Sequence, residues 1–394
     1  MKKSIMIGLG LALLSTSAYA TKSRLSALGQ NEARGSHYID DTRSVFRNAA
    51  HVNTMNNYVV TEWGNNTGAA GTTENAEGGF FRSSGAFAYG LYYGSDLDDQ
   101  NAIRSNAAAS TNNYGGSSIA MGSSSLMART NEIGLFFGGD MGVQWGAPLQ
   151  YSKAKNEGST LNDKEADQSG LALGGGIIMG DLELYANLKL SDDSENFANA
   201  STTGAKWEGG GVNIGASYGW GDWTFFAEYD KISAEFTAGS GVAKNETERT
   251  SLEIGAGNTH EVSSTARVYY NVSYKSVEGE DKDGTTAANN RKQKDTNLPF
   301  TVGFEADANS WLTVRGAISA NVLISDTEVT TSGATGRTFK ETDVDSQSVT
   351  AGATLNFGKL KIDGVIGSGE SGNSSNDDLA LDNLFTEVAV HYWF

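Results

Sequence analysis

The sequence predicts an all-β fold, a transmembrane antiparallel up-and-down β-barrel of about 16 strands, and three observations carry that prediction. Amphipathic runs with a two-residue period recur from residue 58 to the C-terminus. The segments joining them alternate between tight turns and long polar loops. The composition holds 49 Gly, 2 Pro and 38% hydrophobic residues. A barrel wall tolerates few missing N–H donors and needs apolar residues on one face only.

The first residues set the compartment. Lys2 and Lys3 precede an apolar run from Ile5 to Leu14, and Ala18-Tyr19-Ala20 is a small-x-small cleavage site. Residues 1–20 therefore read as a signal peptide, cut between Ala20 and Thr21 after export by the general secretory route. The run is too short to cross a bilayer as a helix, which takes about 20 apolar residues. No later run is longer, so a membrane-spanning chain of this kind must be a closed barrel, whose backbone polar groups are all paired. The expected location is a bacterial outer membrane.

Residues 21–57 do not alternate. Arg24 to Gln30 suits a short helix, and Tyr38 to Asn57 is mixed. Tyr38, Ile39, Val45, Phe46 and Val52 give the segment too much apolar content for a disordered tail. It reads as an N-terminal extension, either periplasmic or tucked into the lumen as a plug.

Residues 58–394 form the barrel. Leu182, Leu184, Ala186 and Leu188 alternate with Glu183, Tyr185, Asn187 and Lys189. From Leu312 to Ser325 the same alternation holds, with Ala317 and Leu323 as apolar exceptions on the polar face. Such runs match the 9 to 11 residues of a membrane strand better than the shorter strands of soluble sandwiches. Tight turns are expected at Gly85, Asp140, Gly180-Asp181, Gly221-Asp222, Thr259, Asn309-Ser310 and Gly358-Lys359. Long loops include 95–130 and 279–297. Both chain ends then lie in the periplasm, so the strand number is even: about 16, or 14 if the two short runs before residue 85 belong elsewhere.

Aromatic residues mark the ends of strands. Trp220, Trp223, Trp311 and Trp393 fall at expected periplasmic ends and suit an interfacial girdle. The polar face supplies lumen-lining candidates: Glu132, Glu183, Lys189, Glu228, Asp230, Glu253, Arg267, Lys275, Glu305, Arg315, Lys361, Asp363 and Glu387. Mixed charge on an inward face holds water; the same groups also serve as salt bridges that merely solvate the wall. The 95–130 loop is too long for a bare connection, and it either narrows the lumen or stays at the surface.

Several function classes drop out. There is no Cys, hence no disulfide framework and no thiol nucleophile. A formal charge of −18 argues against nucleic-acid partners. His37, His51, His260 and His391 form no catalytic constellation, and no enzyme, cofactor or metal site is expected. Asp281-x-Asp283-Gly284 lacks the remaining ligands of a calcium loop and reads as a solvated turn, and Asp96, Asp98 and Asp99 are equally weak.

The last strand resembles the closing strand of outer-membrane proteins: Phe394 is terminal, with Tyr392, Val390 and Val388 on one face before it. That resemblance implies recognition by the barrel-assembly machinery. The whole chain is similar to Gram-negative porin-type barrels. Tyr38-Ile39-Asp40-Asp41, Phe46-Arg47-Asn48-Ala49-Ala50 and Val59-Val60-Thr61-Glu62-Trp63-Gly64 resemble the start of the major outer-membrane protein of Bdellovibrio-type bacteria. An Asn-Pro-Ala segment of long-chain fatty-acid transporters matches in part, position 49 being Ala rather than Pro. The expected function is passive diffusion of small hydrophilic solutes and ions. The alternatives are a fatty-acid-type transporter of hydrophobic substrates and a non-conducting structural or host-interaction barrel. Expected partners are membrane lipid and lipopolysaccharide, with a homo-oligomer as a further expectation.

Overall fold

The computed structural model describes residues 21–65, 76–95, 126–127, 129, 132–156, 166–196, 204–238, 244–332, 338–342, 347–369 and 384–394. The signal-peptide reading of residues 1–20, the body of the 95–130 loop and the acidic trio Asp96, Asp98 and Asp99 lie outside them.

Three short helical pieces open the chain. Helix α1 (Lys22–Ala27) starts where the Thr21 side chain accepts from the Arg24 N–H at 3.3 Å. It stops at Gly29, whose φ of +64° suits a residue without Cβ. Helix α2 (Ser44–Arg47) is held by Asp41 Oδ1, which accepts from the Ser44 N–H at 2.7 Å. A 3₁₀ turn over Ala49–Thr54 follows, capped by the Asn48 side chain. The helix expected over Arg24 to Gln30 thus begins two residues earlier and ends three residues earlier.

The strands are β1 (Tyr58–Asn65), β2 (Glu77–Ser84), β3 (Phe87–Tyr93), β4 (Ile133–Asp140), β5 (Gln144–Asn156) and β6 (Ala166–Met179). They continue as β7 (Leu182–Asn196), β8 (Ala205–Trp220), β9 (Trp223–Thr237), β10 (Lys244–Ser263), β11 (Ala266–Lys282) and β12 (Arg291–Asn309). The last are β13 (Leu312–Thr331), β14 (Thr338–Thr342), β15 (Gln347–Phe357), β16 (Leu360–Gly369) and β17 (Leu384–Trp393). Each pairs antiparallel with its chain neighbour, and β1 closes the ring on β17, Tyr58 facing Trp393. Strand β14 pairs with the far end of β13 alone, outside the ring, while β13 itself pairs with β15. Sixteen strands therefore close the barrel, which leaves no unpaired edge.

Two expectations about connections change. The turn expected at Thr259 lies farther on, because β10 runs to Ser263 and pairs there with Ala266. The 279–297 loop shrinks, since β11 reaches Lys282 and β12 begins at Arg291. The ring is consequently uneven. Strands β7 to β13 run 15 to 20 residues, whereas β1 to β4 run 7 or 8.

Alternation gives the wall two faces. Leu91, Phe137, Leu149, Ile214, Phe225, Ile254, Val302 and Ile366 stand exposed on the outer face, around the whole ring. This apolar belt ends sharply on the tall side: Tyr229 and Leu252 belong to it, and Lys231 and Glu248 follow on the same face. Both prolines lie where a ladder lapses. Pairing of β5 with β6 skips Ala147 and Pro148, and β12 is unpaired to β11 at Leu298 and Pro299. A proline has no N–H to give a neighbour, so it belongs at such places. Opposite Leu298 the β13 strand bulges, and Leu323, with φ +62°, stands 86% exposed off the regular polar face.

The interior holds residues 21–57. This segment touches strands all round the ring: Asp363 on β16, Glu62 on β1, Glu183 on β7, Asp230 on β9, Asn271 on β11 and Glu305 on β12. A chain reaching strands on opposite sides of a closed ring lies inside it. Glycines on the inner face make the room. A Cβ at Gly146 would run into the Ala49 backbone, and one at Gly257 into the Tyr38 ring.

Candidate functional site: the filled lumen

Two arginines of the segment fix it to the wall. Arg43, 1% exposed, points its Nη1 at Glu62 (3.3 Å) and Glu77 (3.4 Å) and donates to the Tyr92 hydroxyl at 2.9 Å. Tyr92 in turn donates to Glu62 at 2.7 Å. Lys22 adds an ammonium 2.6 Å from Glu77 and a backbone N–H on Glu62. The Arg43 guanidinium also lies 4.2 Å over the Phe46 ring. Burial opposes its charge, but Glu77 and Glu62 outweigh burial and hold it above its ordinary value.

Arg24 makes the second attachment. Its Nε and Nη2 grip both oxygens of Glu305, at 2.7 and 3.0 Å, a bidentate pairing. Arg315 shares Glu305 at 3.0 Å and reaches Asp363 at 3.5 Å. Asp363 also accepts from the Thr21 hydroxyl at 2.8 Å and from Thr354, and lies 3.2 Å from His391. Burial again opposes the Arg24 charge, and Glu305 more than restores it.

A third group of contacts lies across the ring. Asn48 and His51 both meet Glu183, at 3.3 and 3.0 Å. Arg34 lies 3.2 Å from Asp230, and His37 lies 3.5 Å from Glu228, which also accepts from Tyr185. His37 stacks on Phe226 at 4.4 Å. Burial pushes its imidazole below the ordinary 6.5, and Arg47 adds to that against Glu228. Apolar packing completes the filling: Val45, Phe46, Val52 and Met55 meet Tyr58, Phe81 and Phe136 of the wall.

All thirteen charged candidates fall on the inner face, but their settings differ. Glu183, Glu228, Asp230, Glu305, Arg315, Asp363 and Glu387 belong to the attachments just described, Glu387 through Ser26 at 3.1 Å. Glu132 pairs with Arg129 at 2.6 Å, and Lys361 lies 5.2 Å over the Trp393 ring. Glu253 accepts from Ser273 and faces Lys275 at 3.8 Å. Arg267 pairs with Glu261 at the exposed short-turn rim. Lys189 borders a small interior cavity.

Among the four tryptophans, Trp220, Trp223 and Trp311 are exposed at the short-turn end. Trp393 departs from the girdle reading. Its position on β17 shares the inner phase with His391, and it packs against Tyr58 at 5.1 Å. Val388, Val390, Tyr392 and Phe394 take the outer phase, with Tyr392 and Phe394 exposed.

Asp281 and Asp283 serve their own surroundings. Asp281 pairs with Arg249 at 2.8 Å. Asp283 accepts from Thr285 and Asn289, hydrogen bonds that hold its carboxyl down to about 2. Among the described residues no cluster of ligands suits a metal ion. The end of the long connection after β3 also turns inward: Leu126 packs on Trp207 and Phe236, and the Met127 N–H meets Ser194 at 3.0 Å.

Sequence reasoning missed Arg24, Arg43, Glu62, Glu77 and Tyr92. The signal was partial: an apolar segment that carries arginines needs carboxylates opposite them once it is buried, but no period tells which arginines turn to the wall.

No protein-family model matches the chain, and no curated protein matches it. Solved structures resemble it at low identity. The toluene transporter TodX of P. putida is 12% identical, with 96% of this chain and 99% of that one covered at a TM-score of 0.39. OmpT of Vibrio cholerae is 11% identical, with 86% and 95% covered and a TM-score of 0.32. CdiB of Acinetobacter baumannii is 8% identical, with 85% and 59% covered and a TM-score of 0.43.

Proposed function

We propose that this chain is a bacterial outer-membrane barrel that passes small hydrophilic solutes and ions, and that residues 21–57 hold it shut as a resident plug. The observation that carries the reading is the pair of buried arginines, Arg24 and Arg43, bound from inside to carboxylates of the wall. The continuous outer belt of apolar residues supports a membrane setting. The inner face bears charge on many strands, which suits polar solutes better than greasy ones. Apolar surface inside is taken up by the segment itself. Export, lipopolysaccharide contact and delivery by the assembly machinery belong to the same reading, and no catalytic step does.

An open diffusion pore is the less favoured form, because its lumen would already be occupied. Planar-bilayer recording tests the proposal. The intact barrel is expected to be largely silent, and removal of residues 21–57 to give steady conductance steps. A silent deletion variant that still forms a barrel would sink the reading. It would favour a non-conducting scaffold, the reading that the density of internal ion pairs also fits.

A further inference from the structure

The ion pairs named above between residues 21–57 and the wall all run one way. Lys22 meets Glu77 at 2.6 Å, and Arg43 meets Glu62 and Glu77 at 3.3 and 3.4 Å. Arg24 meets Glu305 at 2.7 Å, His37 meets Glu228 at 3.5 Å and His51 meets Glu183 at 3.0 Å. In each, the segment brings the nitrogen and the wall brings the carboxylate. The segment holds five Lys and Arg against three Asp and Glu, in a chain whose formal charge is −18. It is a cationic insert facing wall carboxylates.

The seat of Arg43 is built for a cation that donates hydrogen bonds. Glu62 and Glu77 stand opposite each other on β1 and β2, and both are almost fully buried. The Tyr92 hydroxyl gives its proton to Glu62 at 2.7 Å, which leaves its oxygen to accept from Arg43 at 2.9 Å. Glu77 Oε1 takes both the Lys22 ammonium and the Arg43 guanidinium. Its second oxygen, Oε2, is buried with no hydrogen-bond partner among the described residues. Buried carboxylates with acceptor capacity left over call for a donor that also carries positive charge. The guanidinium seated there is such a donor.

Withdrawal of the segment changes these carboxylates unequally. Among the described residues, each cation paired with Glu62, Glu77 and Glu183 comes from the segment. Those three are left bare toward the lumen. Glu305 and Asp363 keep Arg315, which belongs to the wall. An inward face with bare carboxylates favours cations.

We propose that the opened lumen prefers cations, and that its solutes are small organic cations bearing a guanidinium or a primary ammonium. Arg43 and Lys22 are tethered stand-ins for them at the Glu62–Glu77 seat. The inference rests on the barrel being a passage for small polar solutes, and it names their class. Charge-assisted hydrogen bonds to two carboxylates and a tyrosine oxygen give the seat a selectivity that bare charge lacks.

Refolded full-length Arg43→Ala tests this in planar bilayers, because it vacates the guanidinium place and loosens the segment. Arg43→Gln, which keeps most of the side chain, serves where Arg43→Ala does not refold. In a potassium chloride gradient the openings are expected to favour potassium over chloride about fivefold or more. Methylguanidinium chloride should interrupt the current saturably. Tetramethylammonium chloride, which donates no hydrogen bond, should act about tenfold more weakly at equal ionic strength. Glu62→Gln together with Glu77→Gln, added to the same chain, should lower the potassium preference and make the two cations act alike. Openings without cation preference, or equal action of the two cations before those changes, overturn the proposal and leave the passage standing. A silent barrel that still binds methylguanidinium in calorimetric titration keeps the seat and removes the passage. A silent barrel that does not bind it overturns both.

Discussion

The inside of the short-turn half and the outside of the tall half use the same chemistry to different ends. Inside, Arg24, Arg43 and Arg315 pair with carboxylates that are nearly or fully buried. Outside, above the apolar belt, Lys206–Glu208, Lys294–Glu278 and Lys340–Glu328 pair in the open. Exposed pairs lie in high dielectric and contribute little. A buried pair contributes little net stability either, yet losing one partner is costly, because an uncompensated charge remains in a low dielectric. The inner pairs therefore act as latches that hold or fail, while the outer ladder keeps long strands soluble beyond the belt.

The largest expected effect breaks a latch. Arg43→Met leaves Glu62 with no side-chain cation, at a cost of roughly 3–5 kcal/mol to docking of the segment. Trypsin should then cut within residues 21–57 of the folded barrel, and the bilayer record should show steady openings. Arg24→Met should do less, roughly 1–3 kcal/mol, because Arg315 stays on Glu305. Openings would be brief and infrequent. If the two variants behave alike, the latches are not independent.

A pH change sharpens the comparison at lower amplitude. His37 faces Glu228 on β9, Tyr185 on β7 and Arg47 of α2, and burial keeps it below 6.5 when docked. An undocked His37 takes its proton near that value. Below it the undocked state binds more protons, so docking weakens as pH falls from about 7.5 to 5.5 and recovers as it rises. Open probability should rise with acidification in the wild type and less so in His37→Asn. At the other extreme, Lys294→Ala should leave both thermal unfolding and conductance unchanged. A marked shift there would mean the outer ladder is more than a solvated face.

The wall was legible in the sequence because its physics is local. A two-residue period records which face each side chain takes, and the turns carry their own chemistry at Gly180-Asp181 and Gly221-Asp222. Strand β10 shows the limit. Gly255 and Gly257 leave its inner face without side chains, and Asn258-Thr259-His260 then looks like a turn. Gly255 admits Phe226 from directly across on β9, and Gly257 admits Tyr38, a partner far away in the chain. The alternation tells that the charged positions share a face but not what they meet, since residues 21–57 have no period to announce a seat. Trp393 was assigned outward by type, and its phase beside His391 decided otherwise.

The interior position of residues 21–57 bears on the order of events. Arg24 meets Glu305 across 281 residues of chain, and Thr21 meets Asp363 across 342. Neither contact exists until β12 and β16 have taken their places in the ring. Arg43, by contrast, meets Glu62 and Glu77 across only 19 and 34 residues, so the two ends of the segment find their partners at different stages of ring assembly. The Thr21 and Arg24 end is therefore seated last, and its docking is a built-in sign that the ring has closed.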